Sequence, residues 1–368
     1  MMYKIGEVFT LIRNGANIKQ GEDDTGYPIT RIETISNRVV DRNKMGYAGI
    51  HEIGRYSDYI LEDGDILMSH INSETHLGKV ALYEKIPGET IIHGMNLLCL
   101  RPNRSILNCR YAFYSLMSDG FLRQIPRIMK KSVNQASFTV TALKELQIHV
   151  PPMEQQLQIV SVMDRIQSLL LQRQKQAAVI DQLVKSRFIE LFGEPLSNQK
   201  GWQTMSIVEA APIKSQRSNL ADEVWLLNLD AVEAQTGTVL FKHRVQSGEI
   251  NASTVYFTTE SVLYSKLRPY LNKVVMPDED GVATSEMIPM YPLADRLNRA
   301  YLCYWLRSDA FVRHISEKVA GAKMPRVSMD YFRSLAIEMP PLELQAQFAA
   351  FVEQTDKSKL CGKMEAAA

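Results

Sequence analysis

The chain repeats itself, and this constrains its fold more than any other feature. Leu146-Gln-Ile-His-Val-Pro151-Pro152-Met-Glu154 returns as Leu335-Ala-Ile-Glu-Met-Pro340-Pro341-Leu-Glu343, an offset of 189 residues. Upstream, Ser118-Asp119-Gly-Phe121-Leu-Arg123-Gln-Ile125 returns as Ser308-Asp309-Ala-Phe311-Val-Arg313-His-Ile315, now offset by 190. Arg110-Tyr-Ala-Phe precedes the first copy and Arg299-Ala-Tyr-Leu the second. Earlier still, Asp65-Ile-Leu-Met-Ser69 with Gly78-Lys79-Val80 resembles Ser261-Val-Leu-Tyr-Ser265 with Asn272-Lys273-Val274. Four matches in one order at nearly one offset mean two copies of a single folding unit.

The segments between these anchors read as strands. Asp65–Ser69, Gly78–Tyr83 and Asn96–Leu100 are short, rich in Ile, Val, Leu and Tyr, and bounded by Gly, Asn or Pro. Their counterparts are Ser261–Ser265, Lys273–Met276 and Glu286–Tyr291. Tyr111–Ser118 and Tyr301–Ser308 show helical spacing instead. The fold class is α+β, with two similar mixed α/β units.

A different texture follows each Pro-Pro. Glu154 to Phe192 contains no Gly or Pro and is dominated by good helix formers. Ile159, Met163, Ile166, Leu170, Ala177, Ile180 and Val184 step by three and four, with Arg173 interrupting, as in a coiled-coil seam. Proline is tolerated in a first helical turn, and Gly193-Glu-Pro195 supplies a stop. At 1.5 Å per residue this helix is about 55–60 Å long. The second copy starts the same way with Leu344, Phe348 and Val352 and runs out near Leu360.

The expected order is therefore unit 1–150, central helix 151–195, unit 196–339 and a short helix 340–368, the two helices forming an antiparallel coiled coil. Such a pairing relates the units by a pseudo-two-fold axis, as duplex DNA is related to itself. The helix would then act as a ruler spanning roughly 16 base pairs at about 3.4 Å each.

Charge bears on this only locally, since the net charge is +1 over 368 residues. Arg101, Arg104, Arg110, Arg123, Arg127, Lys130 and Lys131 face one acid, Asp119, within their stretch. Between Arg296 and Arg326 seven Arg or Lys residues face Asp309 and Glu317. A solvated face is the plainer reading of either stretch alone, but the coincidence in both repeats favours phosphate contact. Cys99, Cys109, Cys303 and Cys361 have no zinc or redox spacing. The absence of a signal core and of any 18-residue apolar run predicts a cytoplasmic protein without a membrane partner.

Together these features resemble the specificity subunit of type I restriction–modification enzymes. The resemblance rests on Pro151-Pro152-Met-Glu154-Gln155-Gln156, the helix ending Leu191-Phe192-Gly193, the Val133-Asn134-Gln135-Ala136-Ser137-Phe138 segment, Gly64-Asp65-Ile66-Leu67, and the two-copy layout. It covers residues 3–360. It implies two target-recognition domains, each reading half of a split, asymmetric site in double-stranded DNA. It also implies helices that dock two methyltransferase subunits, and a motor/nuclease subunit for restriction. The second copy departs from the pattern with Leu344 in place of Gln155, with Lys323-Met324-Pro325 in place of Asn134-Gln135-Ala136, and with a shorter helix.

Candidate DNA-contacting residues in the first unit are Asn134, Gln135 and Ser137, with Arg127, Lys130 and Lys131 on phosphates. Amides pair with adenine, and Arg or Lys with guanine. Asn134 and Gln135 serve equally well as loop-backbone partners. His70, Asn72 and Lys79 form a second group. In the second unit the analogues are Lys266, Arg268, Asn272, Lys273, Lys323 and Arg326, where Arg268-Pro269-Tyr270 also suits a structural turn with a packed tyrosine. No catalytic residue, metal ligand or cofactor is expected. The chain has no phosphate loop of the G-x-x-x-x-G-K-[ST] type and no Asn/Asp-Pro-Pro-aromatic motif. Asp65, Glu74 and Lys79 suggest a nuclease cluster, but Ser261 replaces Asp65 in the repeat. A protein-binding assembly scaffold is the alternative from another class.

Overall fold

The computed structural model describes residues 1–18, 25–132, 135–215, 222–250, 253–321 and 324–367. The chain divides into two compact units, Met1–Leu169 and Leu170–Ala368.

In the first unit, β1 (Met2–Lys4) leads through α1 (Ile5–Val8) to β2 (Phe9–Asn14). Then come β3 (Ile66–Ser69), β4 (Ile71–Asn72), β5 (Val80–Leu82) and β6 (Leu97–Pro102). These are followed by α2 (Cys109–Met117), α3 (Asp119–Leu122) and α4 (Ile125–Ile128). The hairpin β7 (Lys130–Lys131) and β8 (Ala136–Ser137), α5 (Val140–Lys144) and β9 (Gln147–His149) come last before the central helix. The main sheet has the order β2-β6-β3-β5. Its strands are antiparallel, and Ile66, Met68, Val80, Leu98 and Leu100 pack under α2 residues Tyr111, Ala112 and Leu116. The first and last strands close on one another, with Tyr3 opposite Ile148.

α6 (Met153–Phe192) is one continuous helix of 40 residues, matching its expected extent to one residue. It is about 60 Å long at 1.5 Å per residue.

The second unit repeats the plan. β10 (Thr204–Ser206) and α7 (Ile207–Ala210) are followed by β11 (Glu223–Leu227), β12 (His243–Gln246), β13 (Val255–Phe257), β14 (Val262–Ser265), β15 (Val274–Val275), β16 (Gly281–Ala283) and β17 (Met287–Met290). Then come α8 (Arg299–Arg307), α9 (Asp309–Ser316), the hairpin β18 (Val319–Ala320) and β19 (Arg326–Val327), α10 (Met329–Arg333), β20 (Ala336–Glu338) and α11 (Leu342–Ala367). The order β15-β14-β17 matches β5-β3-β6, and β10 pairs with β20 as β1 does with β9. The second unit adds a sheet of order β12-β11-β16-β13, in which β11 and β16 run parallel.

Atomic details show that the copies share geometry as well as outline. Asn108 and Asn298 cap α2 and α8, and Ser118 and Ser308 cap α3 and α9, satisfying amides that helix starts leave open. Tyr111 Oη donates to the His149 carbonyl and Tyr301 Oη to the Glu338 carbonyl. Gln156 and Gln345, both wholly buried, form identical clamps. Gln156 Nε2 donates to the carbonyls of Ile106 and Pro151 (each 2.8 Å), and its Oε1 accepts from the Asn108 amide (2.8 Å). Gln345 Nε2 donates to the carbonyls of Arg296 (3.2 Å) and Pro340 (2.7 Å), and its Oε1 accepts from the Asn298 amide (2.7 Å). Each clamp ties the first turn of a long helix to the loop before α2 or α8.

The seam on α6 is partly covered. In the second unit Val184, Phe188 and Phe192 are buried against Tyr301, Phe348 and Val352, so the end of α6 packs with the beginning of α11. Ala177 and Ile180 are half-buried, and Ile159, Met163, Ile166 and Leu170 are exposed. The expected pairing of the two helices is present, among the described residues, where the end of α6 meets the beginning of α11. Among the described residues no helix is long and apolar enough to cross a membrane.

Candidate nucleic-acid interface

The hairpin β7/β8 is the place where the first unit gathers its candidates. β8 lies between β4 and β7, with Ser137 opposite both Ile71 and Lys130, and Ala136 opposite both Asn72 and Lys131. Residues opposite one another across antiparallel strands share a face. The sheet thus places Lys130 beside Ser137 and Lys131 in line with Asn72. Ser132 closes the hairpin by donating from both its amide (2.8 Å) and Oγ (2.9 Å) to the Gln135 carbonyl. Gln135, Lys130, Lys131 and Arg127 are exposed. Lys131 Nζ pairs with Glu74 at 2.9 Å, a surface pair of small energetic weight. Asn72 is half-buried; its amide donates to Ser69 Oγ and its carbonyl oxygen accepts from the Ser73 amide. Asn134 lies outside the described residues, as does Lys323 of the second unit.

The second unit builds the same corner. Val327 donates its amide to the Lys266 carbonyl as Phe138 does to the His70 carbonyl, and Leu267 bridges Arg326 as Ile71 bridges Ser137. Arg326 therefore occupies the position of Ser137. It is exposed and held by Glu286, with Nη2 to Oε1 at 2.9 Å and Nε to Oε1 at 3.0 Å. Arg268 is exposed, its backbone is left-handed (φ 48°), and its amide donates to the Pro325 carbonyl. The Arg268-Pro269-Tyr270 segment is the structural turn anticipated, but Tyr270 is exposed rather than packed. Lys266 is half-buried.

Three candidates have internal roles. Lys79 Nζ donates to the Ser36 carbonyl (3.2 Å), and its repeat partner Lys273 donates to the Leu229 carbonyl (2.6 Å). Each lysine ties its strand pair to a short 3-10 turn, and burial lowers the Lys273 pKa from its ordinary value. Asn272 is buried, donates to the Arg307 carbonyl (3.0 Å), and takes φ 49° where its counterpart Gly78 takes φ 76°. Asn is the side chain that best tolerates this left-handed position, so the Gly-to-Asn exchange between copies preserves one turn. The charge signal that drew attention to Lys79 and Lys273, and the amide of Asn272, belong to turns.

The basic stretches are also narrower than their composition suggests. Arg101 clamps the buried Asp65 (2.8 Å from Nε and from Nη2) and reaches Glu62. Arg110 pairs with Glu84 and Asp164, Arg104 with Asp63, and Arg123 with Asp119. In the second stretch Arg299 donates to the carbonyls of Ser261 and Pro277, and Arg313 reaches Glu194. Carboxylates thus engage Arg101, Arg104, Arg110 and Arg123 of the first stretch, while Arg127, Lys130 and Lys131 lie around one hairpin as Arg268 and Arg326 lie around the other. His70 is buried beside Phe138 (ring centroids 6.3 Å apart), and burial lowers its pKa to about 4, so it is neutral at pH 7. Asp65, the residue that suggested a nuclease, is the buried partner of Arg101. Sequence reasoning missed the Gln156 and Gln345 clamps, although both glutamines stand at the same place after Pro-Pro.

Comparison with known proteins agrees with this architecture. A family profile described as "Type I restriction modification DNA specificity domain" matches residues 1–180. The chain is 30% identical over 369 aligned residues, 96% of its own length and 86% of the other's, to the putative type I restriction enzyme MjaX specificity subunit of Methanocaldococcus jannaschii. It is similar in fold to the crystal structure of the type I restriction–modification system S subunit from M. genitalium, with TM-score 0.55 and 13% identity, covering 100% of this chain and 92% of that one. A chain from a study of complex assembly and conformational transition of the type I restriction–modification system is likewise similar, with TM-score 0.53 and 16% identity, covering 100% and 93%. With its duplicated units, its unbroken helix and a relative of this identity along almost its whole length, the chain belongs to the family of type I restriction enzyme specificity subunits.

Proposed function

We propose that this chain is the DNA-reading, non-catalytic subunit of a type I restriction–modification complex, with residues 1–150 and 196–339 each recognising half of a bipartite, asymmetric site. Residues 151–195 serve as the spacer and 340–368 as the shorter second helix. The observation that carries this reading is the pair of matching hairpins. Each unit projects an exposed basic edge from the same place in its fold, Lys130 and Lys131 in one and Arg326 with Arg268 in the other. The shared scaffold presents each edge alike, while the different residues on it would read different sequences. Gln135 and Ser137 are assigned to base edges, and Arg127, Lys130 and Lys131 to phosphates, on their chemistry and exposure. The exposed apolar residues on α6 suit docking of methyltransferase subunits, with a motor/nuclease subunit joining for restriction.

The test is duplex binding as a function of salt, with and without Lys130→Glu/Lys131→Glu. Phosphate contact by two lysines predicts a log–log salt slope shallower by about 2 in the variant. An affinity that stays flat with salt, or a slope unchanged by the double variant, would overturn the assignment of this edge to DNA. Turnover of DNA by the pure chain with Mg²⁺ and S-adenosylmethionine would overturn the non-catalytic reading.

A further inference from the structure

The corner beside each basic hairpin has one backbone plan and two sets of side chains. In the first unit Ser69 stands opposite Leu97 and Ile71 opposite Ser137; in the second, Ser265 stands opposite Met287 and Leu267 opposite Arg326. The residues just before Leu97 and Met287 are Asn96 and Glu286. Equivalent positions thus hold Asn96 and Ser137 in one copy and Glu286 and Arg326 in the other.

Arg326 is fixed at both ends. Its backbone lies between β18, where it faces Ala320, and the bridge to Leu267. Its guanidinium meets a single oxygen, Oε1 of Glu286, through Nε (3.0 Å) and Nη2 (2.9 Å). Glu286 is anchored in turn, since its carbonyl accepts from the Lys266 amide (3.0 Å) and its side chain is only 22% exposed. Oε2 of Glu286 is buried with no hydrogen-bond partner among the described residues, so the carboxylate relies on Arg326. A guanidinium is planar, and spending its Nε–Nη2 edge on Glu286 leaves the outer Nη1–Nη2 edge, two parallel N–H donors, on a side chain that is 45% exposed. The first unit builds the same corner with neutral side chains, so the fold does not require this ion pair.

We propose, resting on the DNA-reading role assigned to these edges, that Arg326, aimed by Glu286, reads a guanine in the half-site of the second unit, and that Asn96 and Ser137 leave the first half-site without this contact. Guanine presents two acceptors, O6 and N7, on its major-groove edge, and no other base offers two there. A fork of two parallel donors matches that pair, and holding the fork still lowers the cost of using it. A phosphate accepts donors from many directions and needs no such aim. Glu286 is a positioning residue, acting on DNA only through the arginine.

The experiment selects binding sites from random duplex DNA, using the intact chain with the methyltransferase proposed to dock on it, for the parent, Arg326→Gln and Glu286→Gln. The parent is expected to select two blocks, one holding a fixed guanine. Arg326→Gln makes that position indifferent and keeps every other position of both blocks, which also shows that the variant is folded; its affinity for the selected duplex falls about tenfold or more. Glu286→Gln keeps the shape, removes the charge and weakens the preference at the same position, with the salt slope unchanged. Replacing the guanines of the selected duplex one at a time by 7-deazaguanine, which lacks N7, lowers parent affinity about fivefold at that one position. This measurement depends on no variant folding, and an affinity unchanged at every guanine overturns the proposal. Two blocks in the parent, with Arg326→Gln either altering no position or weakening all sequences equally with a salt slope shallower by about 1, overturn it while the DNA reading stands. A guanine preference untouched by Glu286→Gln overturns the aiming role. A parent that selects no sequence overturns the proposal and the DNA reading together.

Discussion

Replacing Gln345 by Leu keeps the size of the side chain and removes its hydrogen bonds, so it isolates what the clamp contributes. The carbonyls of Arg296 and Pro340 and the amide of Asn298 lose a partner that is wholly buried. Leaving a buried polar group unsatisfied costs about 1–3 kcal/mol, and leucine recovers part of this through apolar burial, giving a net loss of about 2–5 kcal/mol. The protein contains its own reporter, because all three tryptophans, Trp202, Trp225 and Trp305, lie in the second unit. Urea unfolding followed by tryptophan fluorescence reads that unit, and the expected cost lowers its midpoint by about 1 M for a slope of 2–3 kcal/mol per M. Gln156→Leu makes the same cut in the first unit. It should leave the tryptophan midpoint nearly in place while speeding hydrogen exchange of amides in α2 and at the start of α6. A Gln345→Leu midpoint within about 0.2 M of the parent would refute the idea that the clamp fastens the helix to its unit.

Three further outcomes follow from the same geometry. His93 is buried, and burial lowers its pKa to about 4, so the folded state stays neutral between pH 6.5 and 4 while the unfolded state takes up a proton. The share of stability that depends on neutral His93 is therefore present in full above pH 6.5 and falls as pH drops toward 4, by about 2 kcal/mol at pH 5; His93→Gln should remove this share in urea titrations and leave that of His70. Gly78→Ala, at φ 76° and with a Cβ 3.1 Å from Ile125 Cγ1, should cost about 1–2 kcal/mol by calorimetry, whereas Asn272→Gly should cost less because only its bond to Arg307 is lost. Lys79→Met should lower the stability of the first unit by about 1 kcal/mol with little change in DNA affinity, since its ammonium is spent on the Ser36 carbonyl.

The sequence made the repeated parts of the fold readable and left the unrepeated parts obscure. Strands anticipated at Asp65–Ser69 and Ser261–Ser265 form at Ile66–Ser69 and Val262–Ser265, because a short apolar run bounded by turn residues is a local signal. The central helix was legible from its helix formers and its stop at Gly193. The sheet β12-β11-β16-β13 was not, because its pairings join segments up to about sixty residues apart and no single strand announces its neighbour. At the candidate interface, composition could not show which basic residues the fold engages internally. Arg101 and Arg110 look free when only their own stretch is read, and the carboxylates that occupy them, Asp65 and Glu84, lie beside the ends of β3 and β5 and are brought there by the fold. Lys79, Lys273 and Asn272 carried a recognition signal by residue type alone, and their depth beside carbonyl groups could only be seen in three dimensions.

The most direct test of the two-unit account is selection of binding sites from random duplex DNA, using the chain assembled with the methyltransferase proposed to dock on it, before and after insertion of four residues in the exposed part of α6. The insertion lengthens the helix by about 6 Å at 1.5 Å per residue. Two unrelated sequence blocks at a fixed separation are predicted, with the insertion changing the separation and neither block. One uninterrupted block, or a separation indifferent to the insertion, would contradict the account.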